Sequence, residues 1–163
     1  MAAAATPAIK VLTTAKIAHS VHAYSHDARA ESFGDEAVDA LAGKLGVVAE
    51  QIFKTLVIEL STGSLAVAVL PVPAKLSLKA AAAALGAPKA TMADKTLAQR
   101  TTGYVLGGVS PLGQRKRLPT VLDASALEWD RVLCSAGKRG LEIELAPSDL
   151  AAATDARIAA ITA

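Results

Sequence analysis

The stretch Thr55-Leu-Val-Ile-Glu-Leu60, Ser61-Thr-Gly-Ser64, Leu65-Ala-Val-Ala-Val-Leu70 carries the fold. Two apolar runs of strand length flank four small, turn-forming residues, which is the pattern of a β-hairpin. Both runs are apolar at nearly every position, so they read as central strands covered on two faces. Pro71 and Pro73 close the second run, well short of the roughly 18 apolar residues of a membrane span.

On either side of the hairpin lie helices with clear start signals. Thr6-Pro7 offers a hydroxyl cap and a proline in the first turn, so a first helix is expected from Pro7 to about Ala15. Val21 to Tyr24 reads as a short strand. Phe33-Gly34-Asp35 opens a second helix with Val38, Leu41 and Leu45 on one face and Gly46 as its stop. Ser77 caps a third helix that runs through alanines to Leu85 and Gly86, and Asp94 caps a fourth to about Arg100. Short strands are expected at Tyr104–Leu106, Thr120–Leu122, Arg131–Leu133 and Leu141–Leu145, and Ser148-Asp149 is read as the cap of a last helix towards Ile161. Strands and helices interleave without a regular βαβ rhythm. The expected fold is therefore α+β, with a mixed, barrel-like sheet flanked by helices.

The 163 residues fit a single domain, 1–163, able to bury a core without disulfides. Aromatics make up 3% of a chain that is 52% hydrophobic, so the core must come from Val, Leu, Ile and Ala. The net charge of +2 is too small to mark a nucleic-acid binder, but Arg115-Lys116-Arg117 and Lys138-Arg139 gather positive charge at two loops. The single cysteine excludes an intrachain disulfide and suits the cytoplasm. Met1 to Ala5 lacks the basic and long apolar regions of a signal peptide, and no membrane association is expected.

Signatures of metal, phosphate and serine-elbow chemistry are missing. There is no G-x-S-x-G, HExxH, paired CxxC, Walker or dinucleotide-binding pattern, so neither metal nor cofactor is expected. Cys134 sits in Val132-Leu133-Cys134 and reads as a small buried hydrophobe more readily than as a nucleophile. His19, His22 and His26 read as surface histidines near a turn. Lys54 interrupts the apolar Ile52-Phe53-Lys54-Thr55-Leu56-Val57. It is either a strand-edge lysine or a cation facing a cavity. In Gly103 to Gly113, Gly107, Gly108 and Gly113 permit close backbone approach, Pro111 fixes a turn and Ser110 offers a hydroxyl. The segment is either a tight structural turn or a cradle for an anion or a carbonyl oxygen. Gly137-Lys138-Arg139-Gly140-Leu141-Glu142 is either a solvated hairpin turn or a contact for a phosphate backbone.

These blocks resemble the YbaK family of bacterial Cys-tRNA(Pro) deacylases, which is related to the editing domain inserted in many bacterial prolyl-tRNA synthetases. The resemblance covers nearly the whole chain and is strongest at Phe33-Gly34-Asp35-Glu36, Phe53-Lys54-Thr55-Leu56, Gln99 to Tyr104, Gly107 to Gly113 and Gly137 to Glu142. It implies hydrolysis of the ester between cysteine and the 3′ end of tRNA(Pro). The substrate thiol attacks its own carbonyl, and neither a metal nor a protein nucleophile is needed. It implies that Lys54, Tyr24, Gly107, Gly108 and Ser110 are catalytic and that Pro111, Gly113 and Glu142 help bind the substrate. Close relatives carry aspartate at the position of Glu142. Lys116, Arg117, Lys138 and Arg139 would guide the acceptor stem, with prolyl-tRNA synthetase as a partner. Two other readings remain at this stage, an Ala-tRNA(Pro) deacylase and a non-catalytic module that binds tRNA or a synthetase.

Overall fold

The computed structural model describes residues 5–25 and 33–163, with Phe33 and Gly34 described as backbone only. His26 lies outside the described residues. In chain order the elements are α1 (Pro7–Thr14), β1 (His19–Ala23), α2 (Phe33–Leu45), β2 (Phe53–Leu60), β3 (Leu65–Pro71), α3 (Leu78–Ala84), β4 (Ala90–Met92), α4 (Lys95–Thr102), β5 (Thr120–Asp123), β6 (Val132–Lys138), β7 (Leu141–Leu145), α5 (Pro147–Thr154) and β8 (Arg157–Ala159).

The hairpin forms as its pattern requires, with Phe53 opposite Pro71 and Glu59 opposite Leu65. It is the centre of a mixed sheet ordered β4-β2-β3-β5-β8, antiparallel on the β4 side and parallel between β3, β5 and β8. A second, antiparallel sheet is ordered β1-β7-β6. A single parallel bridge, Ile52 to Leu133, joins the two, so the barrel stays open among the described residues.

Both faces of the hairpin are covered. Phe53, Val57, Val67 and Val69 join the core between the two sheets, together with Cys134, Ile143 and Leu12 of α1. Ile58, Ala66, Ala68 and Leu70 turn to the other face, where Ala81 and Ala82 of α3 lie fully buried against them. Alanine on both helix and strand lets the backbones approach closely, so a well-filled core is built with few aromatic side chains.

The capping residues act as read from the sequence. The Thr6, Ser77 and Asp94 side chains accept from the amides of Ile9, Ala80 and Leu97. Three expectations need correction. Tyr104–Leu106 is not a strand, because Gly103 ends α4 in the left-handed region (φ 81°) and Gly107 (φ 84°) turns the chain again. The last helix is capped at Ala146, with Pro147 in its first turn, and ends at Thr154 rather than near Ile161. Asp155 turns left-handed (φ 51°), and β8 then pairs with β5 while the Ile161 amide donates to Asp123 Oδ1 at 2.9 Å. The three-residue edge strand β4 gave no sequence signal.

Candidate active site

A cavity of about 610 Å³ opens between the start of β2, the outer face of the β1-β7-β6 sheet, α2, and the loop after Gly103. Strand alternation supplies its polar wall. Ser135 on β6 and Glu142 on β7 are direct partners across the hairpin, so both project to the same face, away from the core that holds Cys134 and Ile143. Lys54, Thr55 and Tyr24 face the same space, with Asp35 of α2.

Lys54 sits where β2 begins. Its ammonium donates to the carbonyls of Val72 (3.1 Å) and Ala74 (2.6 Å), just past the end of β3. Two of its three N–H groups are used to hold it there. Burial lowers its pKa, and the nearby charge of Asp35 partly restores it. The lysine is therefore a fixed, partly dehydrated cation on the cavity wall, not a strand-edge lysine extended into water.

Glu142 is 5% exposed, and burial alone pushes its carboxyl up to about 8. Among the described residues it makes no ion pair and no side-chain hydrogen bond. Its neighbour Glu144, by contrast, pairs with both His22 and Arg131. Tyr24 is tied to the hairpin turn through its amide, which donates to Gly140 O at 2.9 Å. Burial raises its hydroxyl to about 12, with the charge of Glu142 as the next cause.

The glycine loop divides into two parts. Leu106, Gly107 and Val109 line the cavity. Gly108 packs on the β6–β7 turn, where a Cβ would stand 3.0 Å from Arg139 N and 3.1 Å from Lys138 C. Ser110, Pro111 and Gly113 are not brought to the cavity wall. Ser110 is fully buried and its hydroxyl accepts from the Leu112 amide at 3.2 Å, while a Cβ on Gly113 would lie 2.6 Å from the Pro7 carbonyl. This half of the loop is a turn built against α1. Arg139 Nε donates to Leu106 O at 2.7 Å, so this guanidinium clamps the loop to the hairpin. Lys116, Arg117 and Lys138 are exposed. Cys134 is fully buried in the core with its thiol pKa raised by burial, the opposite of an activated nucleophile. His19 and His22 lie outside the cavity wall, each with a hydrogen-bond partner, Ile17 O and Glu144.

Ser135, Thr55 and Asp35 were not singled out from the sequence. Thr55 and Asp35 lay inside quoted blocks beside more conspicuous residues. Ser135 becomes visible once the turn Gly137–Gly140 is known to place it opposite Glu142.

The mixed α+β scaffold thus carries one cavity lined by both a lysine and a buried acid. The profile of the aminoacyl-tRNA editing domain matches residues 35–153, and the chain belongs to that family. Within it, the chain is 40% identical over 124 residues to EbsC of Enterococcus faecalis, named as a candidate Cys-tRNA(Pro)/Cys-tRNA(Cys) deacylase, covering 76% of each protein. Its fold matches the crystal structure of a candidate trans-editing enzyme for prolyl-tRNA synthetase (TM-score 0.76, 26% identity, 89% of this chain and 87% of that one). It also matches a hypothetical protein of known structure (TM-score 0.82, 23% identity, 97% and 100% covered), a likeness that speaks to the fold alone.

Proposed function

We propose that this chain is a trans-acting deacylase that removes cysteine from mischarged tRNA(Pro) by positioning the ester for attack by the substrate's own thiol. The observation that carries this reading is the make-up of the cavity wall. Lys54 and Glu142 face the space, but no histidine lines the cavity beside Thr55 and Ser135 among the described residues, and the Thr55 hydroxyl is itself buried. The Ser135 hydroxyl already accepts from the Gly137 amide at 3.1 Å. Neither hydroxyl is hydrogen-bonded to Lys54, Glu142 or any other base among the described residues, and a serine or threonine without such a partner is a weak nucleophile. A cysteinyl ester brings its own.

In that reaction the substrate sulfur bonds to the ester carbonyl carbon and the bond to the ribose oxygen breaks. The ribose oxygen takes up a proton, and water then opens the thiolactone. Lys54, held by two carbonyls, supplies fixed positive charge for the developing oxyanion or the terminal ribose-phosphate. Gly107 lines the same space, while the amides on either side of it are already committed, Leu106 N to Gln99 Oε1 and Gly108 N to Val105 O. Tyr24 and Glu142 line the same cavity. Lys116, Arg117 and Lys138 offer exposed charge to the acceptor stem, with a salt-dependent contribution to binding. Prolyl-tRNA synthetase, working in the cytoplasm, is the natural source of the substrate.

The test is deacylation of tRNA(Pro) charged separately with Cys, Ser, Ala and Pro. Cysteine is expected to leave fastest and serine much more slowly, and Lys54→Ala should lose about 10²–10³ in rate while the fold survives. Equal rates for cysteine and serine would refute thiol assistance. Faster release of alanine would reassign the substrate.

A further inference from the structure

Resting on that functional reading, we infer that Glu142 is the receptor for the substrate's α-ammonium group, and that the site accordingly accepts only aminoacyl esters with a free amino group. The position of the carboxyl argues for this. Glu142 is 95% removed from solvent yet lines the cavity, and among the described residues no side chain or backbone group partners it. A buried acid without a partner is expensive to keep, since a well-packed apolar residue would stabilise the fold more. The strand it occupies shows the contrast. Two residues on, Glu144 is satisfied by His22 and Arg131.

The charges of the cavity fall into two groups, because neither Lys54 nor Glu142 figures among the causes that shift the other. Lys54 stands with Asp35 in one, and its Nζ is anchored on Val72 and Ala74. Glu142 stands with Tyr24 and Ser135 in the other, and burial is the cause of its raised pKa, with no counter-charge offsetting it. Every aminoacyl-tRNA carries an ammonium one carbon from the ester carbonyl. If the carbonyl turns toward Lys54 and the glycine loop, a cation is delivered to the side of the cavity that holds an unpaired acid. Glu142 then gives up its proton to solvent and keeps the substrate ammonium as its partner. Burial favours the neutral carboxyl while the cavity is empty, and a cation beside it favours the charged form. An amide nitrogen, as in peptidyl-tRNA, carries no such charge.

The experiment compares Cys-tRNA(Pro) with its 3-mercaptopropionyl analogue, which keeps the thiol and the ester, lacks the amino group and adds no bulk. Ala-tRNA(Pro) and its propionyl analogue form a second pair. Each enzymatic rate is divided by the uncatalysed hydrolysis of the same ester. Removing the amino group should lower the wild-type ratio about 10–100-fold, as loss of a hydrogen bond to a charged group does. Glu142→Gln should slow the free-amine ester by a similar factor and leave the desamino ester nearly unchanged. Glu142→Asp should restore the preference, and circular dichroism confirms that each variant is folded. Equal wild-type rates on both members of a pair would overturn the inference while leaving the deacylase intact, and so would equal slowing of both by Glu142→Gln. A preference for alanine over cysteine would sink the substrate assignment alone, since the alanine pair still tests the amino group. No hydrolysis of any ester would overturn both.

Discussion

Glu142→Gln should make the protein more stable than the wild type at pH 8 but not at pH 5. In the unfolded chain this carboxyl titrates at its ordinary value of 4.5, and in the folded protein burial moves it to about 8. Between those values the folded state holds a proton that the unfolded state has released, so stability is fully present below the lower value and falls as pH rises towards the upper one. At 1.36 kcal/mol per tenfold change in proton affinity, the interval corresponds to about 5 kcal/mol by pH 8. A domain is stable by only about 5–15 kcal/mol, so an effect of this size shifts the whole unfolding transition. Glutamine has nearly the same shape and no proton to lose. Urea unfolding of both proteins at pH 5, 6, 7 and 8 gives the difference at each pH, in which the groups common to both cancel. The advantage of the glutamine variant should grow steadily by several kcal/mol. A difference that stays constant across the series would show that the folded-state carboxyl titrates normally, through hydration or an ionic partner, and would refute the argument from burial. The same variant should be the poorer enzyme, so activity and stability move in opposite directions.

Three other substitutions test separate parts of the site. Thr55 Oγ1 is buried without a hydrogen-bond partner among the described residues, so Thr55→Val, nearly isosteric, should raise stability by about 1–3 kcal/mol in thermal unfolding; a lowered Tm would mean that the hydroxyl is satisfied. Gly108→Ala puts a Cβ against the backbone of Lys138 and Arg139, so the loop and the turn must separate by a few tenths of an ångström, and deacylation should fall together with about 1–3 kcal/mol of stability; wild-type rates would show that the loop's seating is irrelevant. Cys134→Ala should cost about 1 kcal/mol in denaturant unfolding and leave the deacylation rate intact, because the thiol lies in the core on the far face of β6 from Ser135. Loss of activity in that folded variant would return the thiol to the mechanism.

The sequence by itself determined the local structure wherever a local cause exists. The hairpin Phe53–Pro71 follows from two apolar runs around Ser61–Ser64, and α1, α3 and α4 begin where Thr6, Ser77 and Asp94 can satisfy free amides. Lys54 stood out because a cation inside an apolar run has few places to go, and burial of Cys134 followed from its neighbours. The rest depended on partners distant in sequence. β4 and β8 are three-residue edges with too little pattern to be read, and each exists because β2 or β5 offers it a ladder. Ser110 and Gly107 lie in one glycine-rich loop, yet only Gly107 reaches the cavity, because the Gly113 half of the loop is pinned against Pro7 some hundred residues earlier. Arg139 looked like a free cation and is a clamp on Leu106. Glu142 differs from Glu144 by two positions on one strand and one face. Only the packing of α2, β2 and the β1-β7-β6 sheet decided that Glu144 is paired with His22 and Arg131 while Glu142 lines a cavity without an ionic partner, since desolvation is set by everything that surrounds a group and is written at no single position of the chain.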